Sequence, residues 1–181
     1  KAAGADVFVN VATPKFAAQA IKKNAEIGWK PVHILNNVSN SVGGVLKAAG
    51  LENSKDVIST TYQKDPTDPA WKNDAGFKAW TAFMEKYYPD GDRTSTFTTY
   101  GYSAAQTMVQ VLKQCGGDLT RENVMRQAAS LKDFQLEMLL PGIKLNTSAT
   151  DFFPVEQMQL MRFNGAEWER FGEILSGEIG G

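Results

Sequence analysis

A single cysteine and a single histidine stand among 181 residues. Cys115 alone closes no internal disulfide and offers no cysteine cluster for zinc. Adding His33 still falls short of the about four ligands of a structural zinc site. No metal and no cofactor is therefore expected. No apolar run approaches the about 20 residues of a membrane-spanning helix. Neither sign of charge dominates: 19 Lys and Arg face 20 Asp and Glu, with no basic cluster. Nucleic acid and anionic membrane are thus not expected partners. There is no signal peptide, which by itself says nothing about location, and neither an internal repeat nor a low-complexity tract.

The chemistry of catalysis is equally thin. Gly43-Gly44 is too little for a phosphate-cradling loop. Gly101-Tyr102-Ser103 begins like a nucleophile elbow, but the Gly-x-Ser-x-Gly pattern fails at Ala105. Carboxylates are scattered and define no acid–base pair. His33, inside Val32-His33-Ile34-Leu35, reads as a catalytic base or as a strand histidine with a satisfied ring. The second is expected, since no catalytic partner can be named for it. Cys115 falls at a helix C-terminus, where the dipole disfavours a thiolate, and is expected to be inert. Two Asn-x-Ser triplets, Asn37-Val38-Ser39 and Asn146-Thr147-Ser148, are of a kind common by chance. An enzyme is not expected.

What the chain does contain is ordered α/β patterning, with 43% apolar residues for a core. Lys1 to Asp6 reads as the last turn of a helix, Gly4 suiting its left-handed cap. Val7 to Ala12 reads as a buried strand, so the expectation is a C-terminal portion of a longer α/β protein. Pro14 opens a helix whose inward face carries Phe16, Ala17, Ala20, Ile21 and Ile27, ended by Gly28. Pro31 to Leu35 is a second strand, Asn36 to Ser41 a polar loop, Val45 to Ala49 a short helix and Val57 to Tyr62 a third strand. Strand, crossover helix, strand is the pattern of a parallel sheet.

After the Pro- and Asp-rich loop of residues 64–69, the spacing of Phe77, Trp80, Phe83, Met84 and Tyr87 marks a strongly apolar helix. A second carries Tyr102, Ala105, Met108, Val109 and Leu112, and a third starts at Thr120 with Val124, Ala128 and Leu131 inward. A short strand is expected at Ile143 to Leu145. Strands Gln157 to Phe163 and Ala166 to Phe171 flank Asn164-Gly165, the signal of a two-residue hairpin turn. The middle helices have broad apolar faces and need a sheet that the chain mostly does not supply.

Ligands of open α/β sheets bind at the carboxyl ends of the strands. Polar residues gather there in three clusters: Asn10, Ala12 and Thr13; Asn36, Asn37 and Ser39; and the run from Thr96 to Tyr102. Amides, hydroxyls and rings such as Phe97, Tyr100 and Tyr102 are what a small-molecule cleft uses. The same residues also suit helix caps and core. Their recurrence in three places favours a cleft lined by Ala12, Thr13, Asn36, Asn37, Ser39, Phe97, Tyr100 and Tyr102.

The chain resembles the C-terminal half of an extracytoplasmic solute-binding protein of the branched-chain amino acid (Leu/Ile/Val-binding) ABC-transport family. The resemblance lies in Ala5-Asp6-Val7-Phe8-Val9 with Thr13-Pro14, Phe97-Thr98-Thr99-Tyr100, residues 119–124, residues 140–147 and residues 157–163, in that order. It implies a type I periplasmic-binding-protein fold: two Rossmann-like lobes joined by a hinge, here with the N-terminal half missing. By the resemblance, residues 1–60 and 157–181 form the second lobe, and residues 64–152 a partial first lobe with few strands of its own. Hinge crossings then fall near Thr60–Gln63 and Phe153–Gln157. The implied function is reversible capture without chemistry, the closed form being recognised by a membrane permease. The implied location is the periplasm, or an extracytoplasmic, membrane-associated position if the protein is a lipoprotein.

One departure bears on the ligand. Amino-acid-binding members typically place a carboxylate in the loop after the second strand to hold the ammonium. This chain has no Asp or Glu between Leu35 and Glu52. An ammonium buried there stays unpaired at a cost of several kcal/mol. The expected ligand is therefore a small carboxylate without an α-amino group, an aromatic acid rather than an amino acid. Two other classes stand against this one. A ligand-sensing domain of a receptor or regulator shares the fold, and an α/β hydrolase needs a base–nucleophile pair that one histidine hardly provides. Apart from its missing half, the chain is expected to bind poorly. Its apolar faces at Phe77, Trp80 and Tyr87, or Tyr102 and Val109, are expected to be buried against a companion chain or a swapped element.

Overall fold

In the computed structural model, which describes residues 1–177, Val7–Asn10 forms strand β1. It leads through Thr13 into helix α1, Pro14–Glu26, with Pro14 at the first helical position. Strand β2 is Val32–Leu35 and pairs in parallel with β1, Val7 opposite Val32. A 3-10 turn at Asn37–Ser39 follows, then a π-helical turn at Val42–Leu46 that runs into the single turn of α2, Lys47–Ala49. Strand β3, Ile58–Thr61, lies parallel to β2. The closing hairpin, β4 (Gln157–Phe163) and β5 (Trp168–Ser176), joins the same sheet antiparallel to β3. The result is one mixed five-stranded sheet in chain order, β1 to β5.

One face of this sheet is covered. Ala17, Ala18 and Ile21 of α1 pack with Leu35, Val45, Leu46, Val57, Phe163 and Trp168 in one core. The inward stripe of α1 is narrower than expected: Phe16 and Ile27, anticipated as core, are exposed. On the opposite face Val7, Val9, Val32 and Ile34 are exposed, Val9 to 60%. So β1 is buried on one side only, not throughout.

Between β3 and β4 the chain leaves the sheet. Helices α3 (Ala75–Tyr87), α4 (Thr96–Cys115) and α5 (Arg121–Ala128) are held on a coil of residues 131–145 rather than on strands. Trp80 and Met84 bury against Met138, and Val111 and Cys115 against Leu131. Asp74, Ser95 and Thr120 cap the three N-termini, each accepting a main-chain N–H. The buried side of α4 carries Thr96, Thr99, Ser103, Val111 and Cys115. The neighbouring stripe with Ala105, Met108, Val109 and Leu112 faces outward.

Three local expectations are corrected. Ile143–Leu145 forms no strand; Leu145 makes an isolated bridge to Phe134. The hairpin loop spans four residues, because Asn164 Oδ1 accepts the N–H groups of Ala166 and Glu167 and Phe163 pairs with Trp168. That side-chain turn displaces the two-residue geometry, and β5 starts at Trp168 and runs to Ser176. Lys1–Gly4 is a single turn, closed by Gly4 N to Lys1 O at 3.0 Å, with Gly4 at φ +73°.

Candidate ligand-binding cleft

The carboxyl ends of β1 and β2 are tied to each other by their own polar residues. Asn10 Oδ1 accepts from Ala12 N at 3.2 Å, and Ser39 Oγ donates to Ala12 O at 2.7 Å. Asn36 Nδ2 reaches the same carbonyl at 3.4 Å. These bonds fix the loop after β2, so Asn37, Val38 and Asn40 stand in a set place beside β3. His33 is buried beneath them, its Nε2 3.3 Å from Asn10 Nδ2 and its ring 4.8 Å from that of Phe8. Burial lowers its pKa to about 4. It is a neutral strand histidine with a partner in Asn10.

Across from this loop stands the first turn of α4. Ser41 Oγ accepts Gly44 N at 3.1 Å and Thr96 N at 3.3 Å. Gly43 lies so close to Thr94 that an added Cβ would sit 2.5 Å from its carbonyl oxygen. Glycine is required there by proximity. Between these elements opens a cleft of about 390 Å³. Asn37, Val38 and Asn40 form one wall, Thr96, Phe97 and Tyr100 the other, and Thr61, Tyr62 and Gln63 the floor. Among the described residues no charged side chain lines it. The Tyr62 phenol has its pKa raised by burial and by Tyr100, so it stays protonated and can donate.

Of the eight residues singled out from sequence, the structure brings Asn37, Phe97 and Tyr100 together in this cleft. Ala12 and Ser39 are taken up by the loop bonds described above, Asn36 donates to Ala12 O through Nδ2 while its buried Oδ1 lacks a hydrogen-bond partner among the described residues, and Thr13 is an exposed residue preceding α1. Tyr102 points elsewhere. Two residues along a helix turn about 200°, so Tyr102 faces away from Tyr100. Its hydroxyl donates to Glu137 Oε2 at 2.5 Å and its ring lies against Phe83, packed on the Trp80 core. Asn40, Thr61, Tyr62, Gln63 and Thr96 were not singled out. Asn40 and Thr96 lie inside the polar stretches that were, and Thr61 to Gln63 fall in the anticipated crossing.

A second hollow of about 410 Å³ adjoins the cleft behind Tyr62 and Tyr100, walled by Ala104, Leu139, Phe153 and Met158. Along it, Ser103 Oγ is buried without a hydrogen-bond partner among the described residues. Among the described residues no group of His, Cys, Asp and Glu could hold a metal ion, and no helix is long and apolar enough to cross a membrane.

Strand-end loops face a helix N-terminus across an aromatic-walled cleft, the kind of place at which open α/β sheets take small molecules. The chain belongs to the periplasmic binding protein family, whose model matches residues 1–167. The family is one of extracytoplasmic solute-binding proteins, not of enzymes, and the fold is the type I periplasmic-binding fold. A branched-chain amino acid ABC transporter protein from Thermus thermophilus, solved with bound valine, superposes with a TM-score of 0.79 at 16% identity. The match covers 97% of this chain and 47% of that one. A substrate-binding periplasmic protein from Ralstonia solanacearum gives 0.75 at 17% identity, covering 92% and 45%. A possible leucine/isoleucine/valine-binding protein from Rhodopirellula baltica gives 0.74 at 12% identity, covering 92% and 42%. The chain thus spans about half the length of the solved relatives it matches. No curated protein matches it by sequence.

Proposed function

We propose that this protein captures a small carboxylate, an aromatic acid in preference to an amino acid, for an ABC importer outside the cytoplasm. The observation that carries the reading is the lining of the cleft: Tyr62, Phe97 and Tyr100 supply rings, Asn37, Asn40 and Gln63 supply amides, and among the described residues no carboxylate lines it to pair an ammonium. Residues 1–60 with 157–181 act as one lobe and residues 64–152 as part of the other, of which residues 178–181 lie outside the described structure. Closure of the lobes on the ligand presents the form that a membrane permease accepts. The valine bound by the Thermus relative belongs to a protein sharing 16% identity, and the uncharged cleft argues for a different ligand here.

In this reading the chain contributes one lobe and part of the other, so its affinity by itself is weak. The exposed apolar stripe at Met108, Val109 and Leu112 favours self-association. The test is identification, by mass spectrometry, of small molecules that copurify with the protein and are released on denaturation. An aromatic carboxylate supports the reading; a branched-chain amino acid refutes it.

A further inference from the structure

Resting on the cleft reading for its consequence only, we infer that Asn10 and His33 are positioning residues: acting through Ala12 they hold the cleft wall of Asn37, Val38 and Asn40, and protonation of the His33 ring releases it. Asn10 ends β1 at 3% exposure, and His33 lies opposite Phe8 on β2 at 7%. A main-chain N–H only donates, so the atom 3.2 Å from Ala12 N is the amide oxygen of Asn10. The nitrogen end of that amide then faces His33 Nε2 at 3.3 Å. This nitrogen also only donates, so Nε2 accepts and the ring proton sits on Nδ1. One amide thus holds a main-chain N–H at one end and a ring lone pair at the other. The residue it anchors is the one from which the loop hangs. Ala12 O accepts Ser39 Oγ at 2.7 Å and Asn36 Nδ2 at 3.4 Å, and Asn36 N donates to Asn10 O at 3.0 Å. Ser39, fully buried, stands between the wall residues Val38 and Asn40.

A protonated imidazole carries N–H at both nitrogens. Nε2–H then meets the amide nitrogen of Asn10, donor against donor. Turning the amide over gives Nε2–H an oxygen, but sets the nitrogen against Ala12 N, again donor against donor. One contact is lost either way. The turned amide makes the charge-assisted bond, the stronger kind, and so leaves Ala12 free. Burial keeps the ring neutral down to about pH 4, so release belongs to acid. The charged groups around His33 are those of the pocket it lines at the other end of β2: Lys30, Glu52, Lys55 and Asp56, all exposed and two of each sign. From α1 the pocket receives Asn24, while Lys23 and Glu26 pair with each other at the surface. β1 faces the ring with Phe8 and Asn10.

Nuclear magnetic resonance of the chain tests this, because His33 is its one histidine. At pH 7 the ring nitrogen shifts are expected to show the Nδ1–H tautomer; the Nε2–H tautomer overturns the inference. From pH 6 to pH 3.5 the Ala12 and Ser39 amides are followed by hydrogen exchange, corrected for the pH dependence of exchange itself. Their protection is expected to fall about tenfold at the ring's own midpoint, the effect of one hydrogen bond. In His33→Gln that fall is expected to vanish. Asn10→Asp offers an acceptor at both ends. It is expected to raise the ring's midpoint by about one pH unit or more and to keep Ala12 protected while the ring is charged. Parent amides indifferent to the ring's titration, a fall that persists in His33→Gln, or protection lost on ring protonation in Asn10→Asp each overturn the inference. Since Asn10→Asp moves the titration to milder pH, it decides the matter if the parent unfolds before its ring charges. No ligand enters these readouts, so a cleft that takes a different ligand, or none, leaves the result standing.

Discussion

Ser41 and Thr96 are joined by a hydrogen bond from the Thr96 N–H to the Ser41 hydroxyl, 3.3 Å long, 55 residues apart in sequence. The same oxygen accepts Gly44 N at 3.1 Å. One fully buried hydroxyl therefore caps the π-helical turn after β2 and the start of α4. It joins the sheet unit to the helical unit at the rim of the cleft. Ser41→Ala leaves two N–H groups without this acceptor. A loss of about 1–3 kcal/mol in urea denaturation is expected.

Gly43 and Gly101 are expected to respond in opposite directions to the same substitution. A Cβ at Gly43 meets Thr94 backbone at 2.5 Å and forces α4 and the loop apart, whereas one at Gly101 meets nothing within 4 Å. Gly43→Ala should destabilise by about 1–3 kcal/mol. Gly101→Ala, on the exposed side of α4, should stabilise by about 0.5–1 kcal/mol. Thermal melts of the two variants side by side check the contrast.

His33 makes stability fall in mild acid. Its folded pKa of about 4 lies below the ordinary 6.5 because burial disfavours the charged ring. Below 6.5 the unfolded chain takes up a proton that the folded chain refuses until about pH 4. The contribution is thus intact above pH 6.5 and is lost as pH falls toward 4, by up to about 3 kcal/mol. Denaturation at pH 7 and pH 4.5 should show a smaller acid loss for His33→Gln than for the parent. An equal loss in both would place the acid sensitivity elsewhere.

Lys64, buried to 5% exposure, donates to Asp74 Oδ1 at 2.5 Å and to Glu137 O at 2.8 Å, with its ammonium over Trp71. Arg170 covers the same indole ring and pairs with Asp68 at 2.9 Å, which ties β5 to the strap before α3. Asp74 also caps α3 through Phe77 N. Asp74→Asn keeps the cap and removes the charge, while Asp74→Ala removes both. The first should cost about 1–3 kcal/mol and the second about 1 kcal/mol more, as read by urea denaturation.

The order of elements was legible because glycine, proline and capping residues punctuate this chain clearly. Pro14, Gly28, Thr120 and the Asn164 turn each mark a boundary close to where the structure has it. Faces were less legible. On α4 the apolar stripe pointed to Val109 and Leu112, but Thr99 and Ser103 are the buried residues, because the coil of residues 131–145 packs on that neighbouring side. Periodicity shows which side of a helix is greasy, not which side this chain covers. At the cleft, Ser39 looked like a ligand group and its hydroxyl donates to Ala12 O. Which amide is spent and which is left over depends on partners 20 or more residues away, as with Asn40 and Thr60. Local sequence carries no record of that.

The most direct test of the uncharged, aromatic-walled cleft is ligand-observed titration of the purified chain with benzoate and with leucine, before and after Tyr100→Ala and Phe97→Ala. Benzoate should bind and leucine should not. Each substitution should weaken benzoate binding by about tenfold or more while leaving the thermal melt nearly unchanged, since both rings are exposed to the cleft. Leucine binding tighter than benzoate, or benzoate binding indifferent to both substitutions, would contradict the account.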